Sequence, residues 1–176
     1  MKERVLSIFI DESGDFGQYN PASPNYYVAM VLHNQEIDIS KNIKALEKQV
    51  SNWGYPEHTI HTGPLIRRES VYKNDLREQR KSLFNALYHF TRLLDVKYIC
   101  AVINQGDCTE KSKLSYTDKL TKEIANQYKL SQVADLICTV EAIAQKNVLT
   151  KSESEFFYSK NDFKKNIYKN IAKKKL

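Results

Sequence analysis

The feature that most constrains the fold is a short apolar run near the start of the chain that ends abruptly in acidic residues. Residues 5–10 read Val-Leu-Ser-Ile-Phe-Ile, and the chain continues as Asp11-Glu12-Ser13-Gly14. The run is β-rich and nearly all apolar, which predicts a strand covered on both faces. Carboxylates at the carboxyl end of a buried strand lie where open α/β sheets bind ligands.

The rest of the chain alternates between strand and helix patterns. Interleaved strands and helices indicate an α/β architecture in which helices flank a mixed sheet. The length of 176 residues suits one domain, with residues 150–176 as a basic C-terminal helical extension. The predicted elements are strands at residues 26–33, 59–62 and 96–103, and helices at residues 40–53, 76–94, 114–128 and 132–145 and in the tail, with Ser40 and Ser131 as N-caps.

Composition and missing motifs argue against several classes of protein. The chain has no run of ~18 apolar residues, so it predicts no membrane span. The first apolar run is too short for a signal peptide, which predicts a cytoplasmic protein. The three cysteines show no CxxC spacing and are expected to be free thiols. The sequence contains no phosphate-binding glycine loop, dinucleotide fingerprint or serine-hydrolase elbow.

The net charge of +6 is concentrated at the end of the chain, where residues 160–176 hold seven lysines and one aspartate. Such a segment can favour nucleic-acid phosphates through counterion release. It is also what a solvated helix end commonly looks like. Both interpretations remain open, and the sequence does not indicate an oligomeric state.

Asp11 and Glu12 are the first candidates for holding a metal ion. Mg²⁺ takes oxygen ligands, usually one or two protein carboxylates and several waters. Neighbouring strand residues point to opposite faces, so these two can share an ion only if the strand ends between them. Ser13 and Gly14 favour that ending. The alternative is an acidic turn whose carboxylates accept backbone N–H groups.

Asp135 is the second acidic candidate. It falls in the first turn of the helix predicted at residues 132–145, where the helix dipole favours a carboxylate. It projects away from the apolar stripe of that helix, so a solvated or capping aspartate is the alternative. The small residues Ala134, Cys138 and Ala142 indicate a face that could approach another element closely.

His61, within Ile-His-Thr-Gly, is a candidate for orienting a phosphate or transferring a proton. A single histidine is more often structural, and that alternative stays open. Arg67, Arg68 and Lys73 follow in a predicted polar loop. They could contact phosphates or simply be solvated.

Asp11-Glu12-Ser13-Gly14 together with Gln132-Val133-Ala134-Asp135 resembles the bacterial family called domain of unknown function 3800. The resemblance spans about residues 5–145, and His61 lies about where the family often has a histidine. It implies a ribonuclease H-like fold, Mg²⁺- or Mn²⁺-dependent cleavage of nucleic acid, and a role in phage defence or mobile elements. By this resemblance Asp11 and Asp135 are metal ligands, with Glu12 as a weaker third.

One element of a ribonuclease H-like sheet is not evident. That sheet needs a further strand before the helix that carries Asp135, but only residues 126–131 separate the two predicted helices there. Six residues cannot provide a parallel strand and its connections. Either the chain lacks this element, or residues that belong between Gln105 and Ser131 are missing from the sequence. One alternative function is therefore a catalytically incomplete module that binds nucleic acid or protein. Another is a phosphatase-type enzyme that uses the same carboxylates on a small substrate.

Overall fold

The computed structural model describes residues 5–14, 24–104, 128–146 and 156–176. Within these ranges the chain contains both helices and strands, which confirms the predicted α/β class but not its ribonuclease H-like form. One three-stranded sheet packs against helices on one face. The elements are β1 (Leu6–Ser13), β2 (Asn25–Asn34), α1 (Ser40–Asn52), α2 (Thr62–Arg67), a 3₁₀ turn (Ser70–Tyr72), α3 (Arg77–Leu93), β3 (Lys97–Asn104) and α4 (Lys129–Gln145), followed by a C-terminal helix.

The sheet has the order β1-β2-β3, and both strand pairs are antiparallel. The predicted mixed sheet is therefore not seen in the described part of the chain. Asp11 lies beside Ala29 of β2, which lies beside Cys100 of β3. The strand predicted at residues 59–62 is wrong, because these residues lead without strand pairing into α2, whose first residue is Thr62.

Among the described residues, β1 has packing partners on one face only. Phe9 packs against the core, whereas Leu6, Ile8 and Ile10 on the other face are 56%, 53% and 52% exposed. The prediction of a strand covered on both faces is therefore wrong. An all-apolar run does not distinguish a doubly covered strand from one whose second apolar face is open.

α4 is the central helix and packs against β1, β2 and α3. It is buried on nearly all sides, as expected of a helix that is apolar around most of its circumference. The predicted N-cap Ser131 is wrong, because the helix begins at Lys129 with Tyr128 in the N-cap position. Asp135 consequently lies in the second turn of α4, beyond the first-turn position where the dipole argument applies.

The helices predicted at residues 40–53 and 76–94 are confirmed as α1 and α3. Ser40 is the first residue of α1 rather than its cap, and its N–H donates to Asp38 Oδ1 at 2.9 Å. Apart from Tyr128, the helix predicted at residues 114–128 lies outside the described residues. Among the described helices, none combines the length and apolarity needed to cross a membrane.

The C-terminal helix consists of Lys160–Asp162, the π-helical segment Phe163–Tyr168 and Lys169–Ala172. The predicted helical spacing of its apolar residues is confirmed, because Phe163, Ile167 and Ile171 are all buried. These side chains dock the helix onto the core.

The residues that follow this helix are bound to the edge of β3. The Tyr98 N–H donates to the Lys174 carbonyl, and the Leu176 N–H donates to the Tyr98 carbonyl, each at 3.0 Å. Lys175 Nζ donates to Oε1 of the buried Glu141 at 2.9 Å, and Lys174 Nζ donates to the Leu94 carbonyl. Lys174 and Lys175 are therefore part of the fold rather than a solvated helix end.

Candidate functional site

Two acidic side chains from distant parts of the sequence lie on the packed elements β1 and α4, near enough for the charge of one to act on the other. These elements pack directly against each other, with Asp11 on the strand and Asp135 on the helix. Burial raises the pKa of Asp11 to about 7, and the negative charge of Asp135 is the second cause of that rise. Asp135 is thus close enough for its charge to disfavour the charged form of Asp11, which favours a proton or a cation beside Asp11.

Asp135 is anchored by the first residue of α2. The Thr62 N–H donates to Asp135 Oδ2 at 2.6 Å. The first amides of a helix have no acceptor within the helix, so this carboxylate satisfies an amide that would otherwise lack a partner. Burial raises the pKa of Asp135, while the Thr62 amide and the nearby His61 act to lower it. The interpretation of Asp135 as a solvated side chain is therefore wrong.

Three consecutive backbone amides are bound by side chains, and we call this arrangement the 60–62 clamp. The Ile60 N–H donates to Gln132 Oε1 at 3.0 Å, and the His61 N–H donates to the Tyr72 hydroxyl at 3.2 Å. The Thr62 N–H completes the set through Asp135. Gln132 and Asp135 are one turn apart on α4, so their carbonyl and carboxylate oxygens suit two amides on the same side of an extended segment. The clamp fixes the backbone of His61, whose side chain is exposed.

Tyr72 connects the clamp to a second histidine. Its hydroxyl lies 2.7 Å from His58 Nε2, and its ring contacts that of His58 edge-on. Burial raises the pKa of Tyr72 to about 12 and lowers the pKa of His58, so both side chains favour their neutral forms. The sequence analysis did not identify Tyr72 or a role for His58, because no local pattern relates them to His61.

Glu12 lies on the opposite face of β1 from Asp11. The strand continues through Ser13, with Glu12 paired beside Val28, so the expected strand end between Asp11 and Glu12 is wrong. Glu12 is exposed, and its Oε2 accepts a hydrogen bond from the Tyr26 hydroxyl. Glu12 therefore faces away from Asp11 and Asp135, although its charge is a further, smaller cause of the raised pKa of Asp11.

The cations that follow His61 are not in one polar loop. Arg67 is the last residue of α2, and its positive charge acts to lower the pKa of Asp135. Arg68 caps α2 in a left-handed conformation, with φ of 59°, and its Nε donates to the Lys73 carbonyl at 3.0 Å. Arg67 is thus the member of this group that belongs to the candidate site.

The donor set fits a hard divalent cation. Asp11 and Asp135 offer two carboxylates, which is the usual protein share of a Mg²⁺ site whose other ligands are waters and substrate oxygens. Within the described ranges, no group of three or more His, Cys, Asp or Glu side chains could hold a metal ion. A zinc site of the usual kind, with three or four protein ligands, is therefore not formed by these residues.

Comparison with family models, curated proteins and solved structures finds no match to this chain. The site residues themselves must therefore carry the argument for function.

Proposed function

We propose that this protein is a metal-dependent nuclease of ribonuclease H-like fold that binds Mg²⁺ or Mn²⁺ through Asp11 and Asp135. The observation that carries the proposal is that Asp11 and Asp135 lie on two elements packed against each other, with the charge of Asp135 acting on the largely buried Asp11. Two like charges held together without a cation destabilise the folded state, and such pairs are typical of functional sites. Glu12 is not needed in this arrangement.

The sheet is compatible with the proposed fold. In the part of the chain that the structure describes, β1 pairs with β2 on one edge and with no strand on the other. The further strand that a ribonuclease H-like sheet requires has an available edge beside Asp11. The resemblance of the Asp-Glu-Ser-Gly and Gln-x-Ala-Asp motifs supports the same proposal, including its suggestion of phage defence or mobile elements.

A bound divalent ion would polarise a phosphodiester and lower the pKa of a bound water. Asp11 and Asp135 supply the negative oxygens that hold such an ion. The 60–62 clamp orients one of them, because the Thr62 amide fixes Asp135 Oδ2. His61 projects an exposed imidazole from a fixed backbone, which suits it to hold a phosphate oxygen or to give a proton to the leaving oxygen.

A second candidate function is a catalytically incomplete module that binds nucleic acid or protein. One observation favours it, namely that Asp135 already has a structural partner in Thr62 while Glu12 lies on the opposite face of the strand. In that case Asp135 would stabilise the start of α2 and the acidic pair would have no catalytic role.

Cleavage by the purified protein separates the two candidates. Labelled single-stranded and double-stranded DNA and RNA are incubated with the wild type, Asp11→Asn and Glu12→Gln in Mn²⁺, Mg²⁺ or excess chelator. The proposal expects chelator-sensitive cleavage by the wild type and by Glu12→Gln, and none by folded Asp11→Asn. Glu12→Gln is the matched control, since it removes one carboxylate charge from the adjacent position of the same strand. Equal cleavage by wild type and Asp11→Asn, or no metal-dependent cleavage of any substrate, overturns the proposal.

A further inference from the structure

α2 places a guanidinium at the border of the acidic pair. The helix begins at Thr62, which is bonded to Asp135, and Arg67 lies on the same short helix. Gly63 and Arg67 are four residues apart and therefore neighbours on the helix surface. The Arg67 side chain folds back over Gly63, which brings its charge toward the Asp135 end of the helix.

Gly63 leaves the space that this guanidinium occupies. A Cβ atom at position 63 would lie 3.1 Å from Nη1 and 3.4 Å from Nη2 of Arg67. The 3.1 Å separation is tighter than ordinary van der Waals contact, so a methyl group here would make the flexible end of the Arg67 side chain shift by a few tenths of an ångström. The glycine does not have the positive φ that would itself require glycine. The absence of a side chain at Gly63 thus allows the Arg67 guanidinium to approach the helix backbone closely.

Glu69 holds Arg67 from one side only. Arg67 Nε lies 3.0 Å from both carboxylate oxygens of Glu69. Within the described residues, neither Nη1 nor Nη2 makes a hydrogen bond to the protein. The Arg67 side chain is 38% exposed. Its two outer nitrogens are therefore oriented yet available to a ligand.

A planar guanidinium with two available nitrogens suits phosphate oxygens, which it can bind in a two-point geometry. A phosphodiester approaching two carboxylates also needs a nearby cation, because the acidic pair alone repels it. We propose that Arg67 binds a phosphate oxygen of the nucleic-acid substrate beside Asp135, with Gly63 setting the position of its guanidinium. This inference rests on the proposed nuclease function and adds the residue that holds the substrate phosphate.

Steady-state cleavage with Mn²⁺ tests the inference through KM and kcat. Arg67→Gln is expected to raise KM about 10-fold or more, the effect of losing one charge-assisted hydrogen bond. Arg67→Lys is expected to recover only part of the loss, because an ammonium lacks the planar fork. Arg92→Gln is the matched control, since it removes the same charge from an exposed position at the end of α3.

Gly63→Ala gives a readout that a purely structural role would not produce. Alanine has a higher helix propensity than glycine, so the melting temperature is expected to rise or stay the same. The displaced guanidinium is expected to raise KM at the same time. Higher stability together with weaker substrate binding supports a positioning role for Gly63, whereas an unchanged KM overturns it.

A binding assay keeps this inference separate from the nuclease proposal. Fluorescence anisotropy of a labelled single-stranded DNA 12-mer is measured without divalent metal for the wild type, Arg67→Gln and Arg92→Gln. A Kd raised by Arg67→Gln well beyond the effect of Arg92→Gln supports phosphate binding even if no cleavage is found. If the wild type cleaves with Mn²⁺ while Arg67→Gln changes neither KM nor Kd, the role of Arg67 is overturned and the nuclease proposal stands.

Discussion

The Thr62 N–H donates to Asp135 Oδ2 at 2.6 Å, so the carboxylate proposed as a metal ligand is also the capping partner of α2. One oxygen of Asp135 is thereby committed to the protein, and the carboxylate cannot rotate freely. A ligand oriented by a second hydrogen bond is a common feature of metal sites. The same bond gives Asp135 a measurable contribution to stability that is independent of any metal.

Asp135→Ala is expected to destabilise the metal-free protein by about 1–3 kcal/mol, because it leaves the Thr62 amide without its acceptor. Asp135→Asn keeps a carbonyl oxygen at the same place and is expected to cost less. Urea denaturation of both variants measures the difference. Equal stability of Asp135→Ala and the wild type would show that the Thr62 bond contributes nothing.

Asp11→Asn is expected to stabilise the metal-free protein at alkaline pH. The pKa of Asp11 is raised from 3.8 to about 7 on folding, so its favourable contribution is complete below about pH 4 and is lost as the pH rises through 7. An asparagine has no charge to bury, and the expected gain at pH 8 is about 1–3 kcal/mol. Denaturant unfolding at pH 4 and pH 8 measures it. A gain in stability of the same size at both pH values would contradict the raised pKa of Asp11.

Binding of Mn²⁺ is expected to release protons at pH 6 and almost none at pH 8.5. Asp11 is mostly protonated at the lower pH, and a metal ligand must be deprotonated. Calorimetric titrations in two buffers of different ionisation enthalpy count the protons. The same proton release at both pH values would show that the metal does not displace a proton from Asp11.

The tail lysines are expected to differ in their effect on nucleic-acid binding. Lys164, Lys165 and Lys169 are exposed, whereas Lys175 is paired with the buried Glu141. Each phosphate contact contributes about one unit to the slope of log K against log salt. Replacing the three exposed lysines with glutamine should reduce that slope. Lys175→Gln should mainly lower stability, because it leaves the buried charge of Glu141 without its cationic partner. A slope unchanged by the triple variant would exclude this surface as a nucleic-acid contact.

Strong periodicity was sufficient to predict most of the described elements. α1, α3, β2 and β3 follow the predicted patterns, and each contributes buried apolar residues to one shared core, although β3 contributes mainly Tyr98. The start of α4 was missed because Tyr128 provides no side-chain hydrogen bond that would mark a cap. The open face of β1 was missed because Ile8 and Ile10 are apolar although they are exposed.

The candidate site was only partly predictable. The motif resemblance pointed to Asp11, Asp135 and His61, while the helical pattern alone left Asp135 as a solvated residue. The contact between Ile60 and Gln132 joins residues 72 positions apart, and such a contact depends on how α4 crosses the sheet. Glu12 was placed with Asp11 because the sequence does not reveal the length of β1, which decides the face on which Glu12 lies.

The 60–62 clamp orders the backbone around His61 during folding, before any ligand binds. Fixing the backbone of one residue costs about 1–2 kcal/mol of conformational entropy, and here that loss occurs during folding. A substrate of the proposed nuclease would therefore meet a His61 whose main chain is already ordered, and its affinity would not be reduced by having to order this segment. The amide hydrogens of residues 60 and 61 should exchange with solvent as slowly as those of α4, although they belong to no helix or strand.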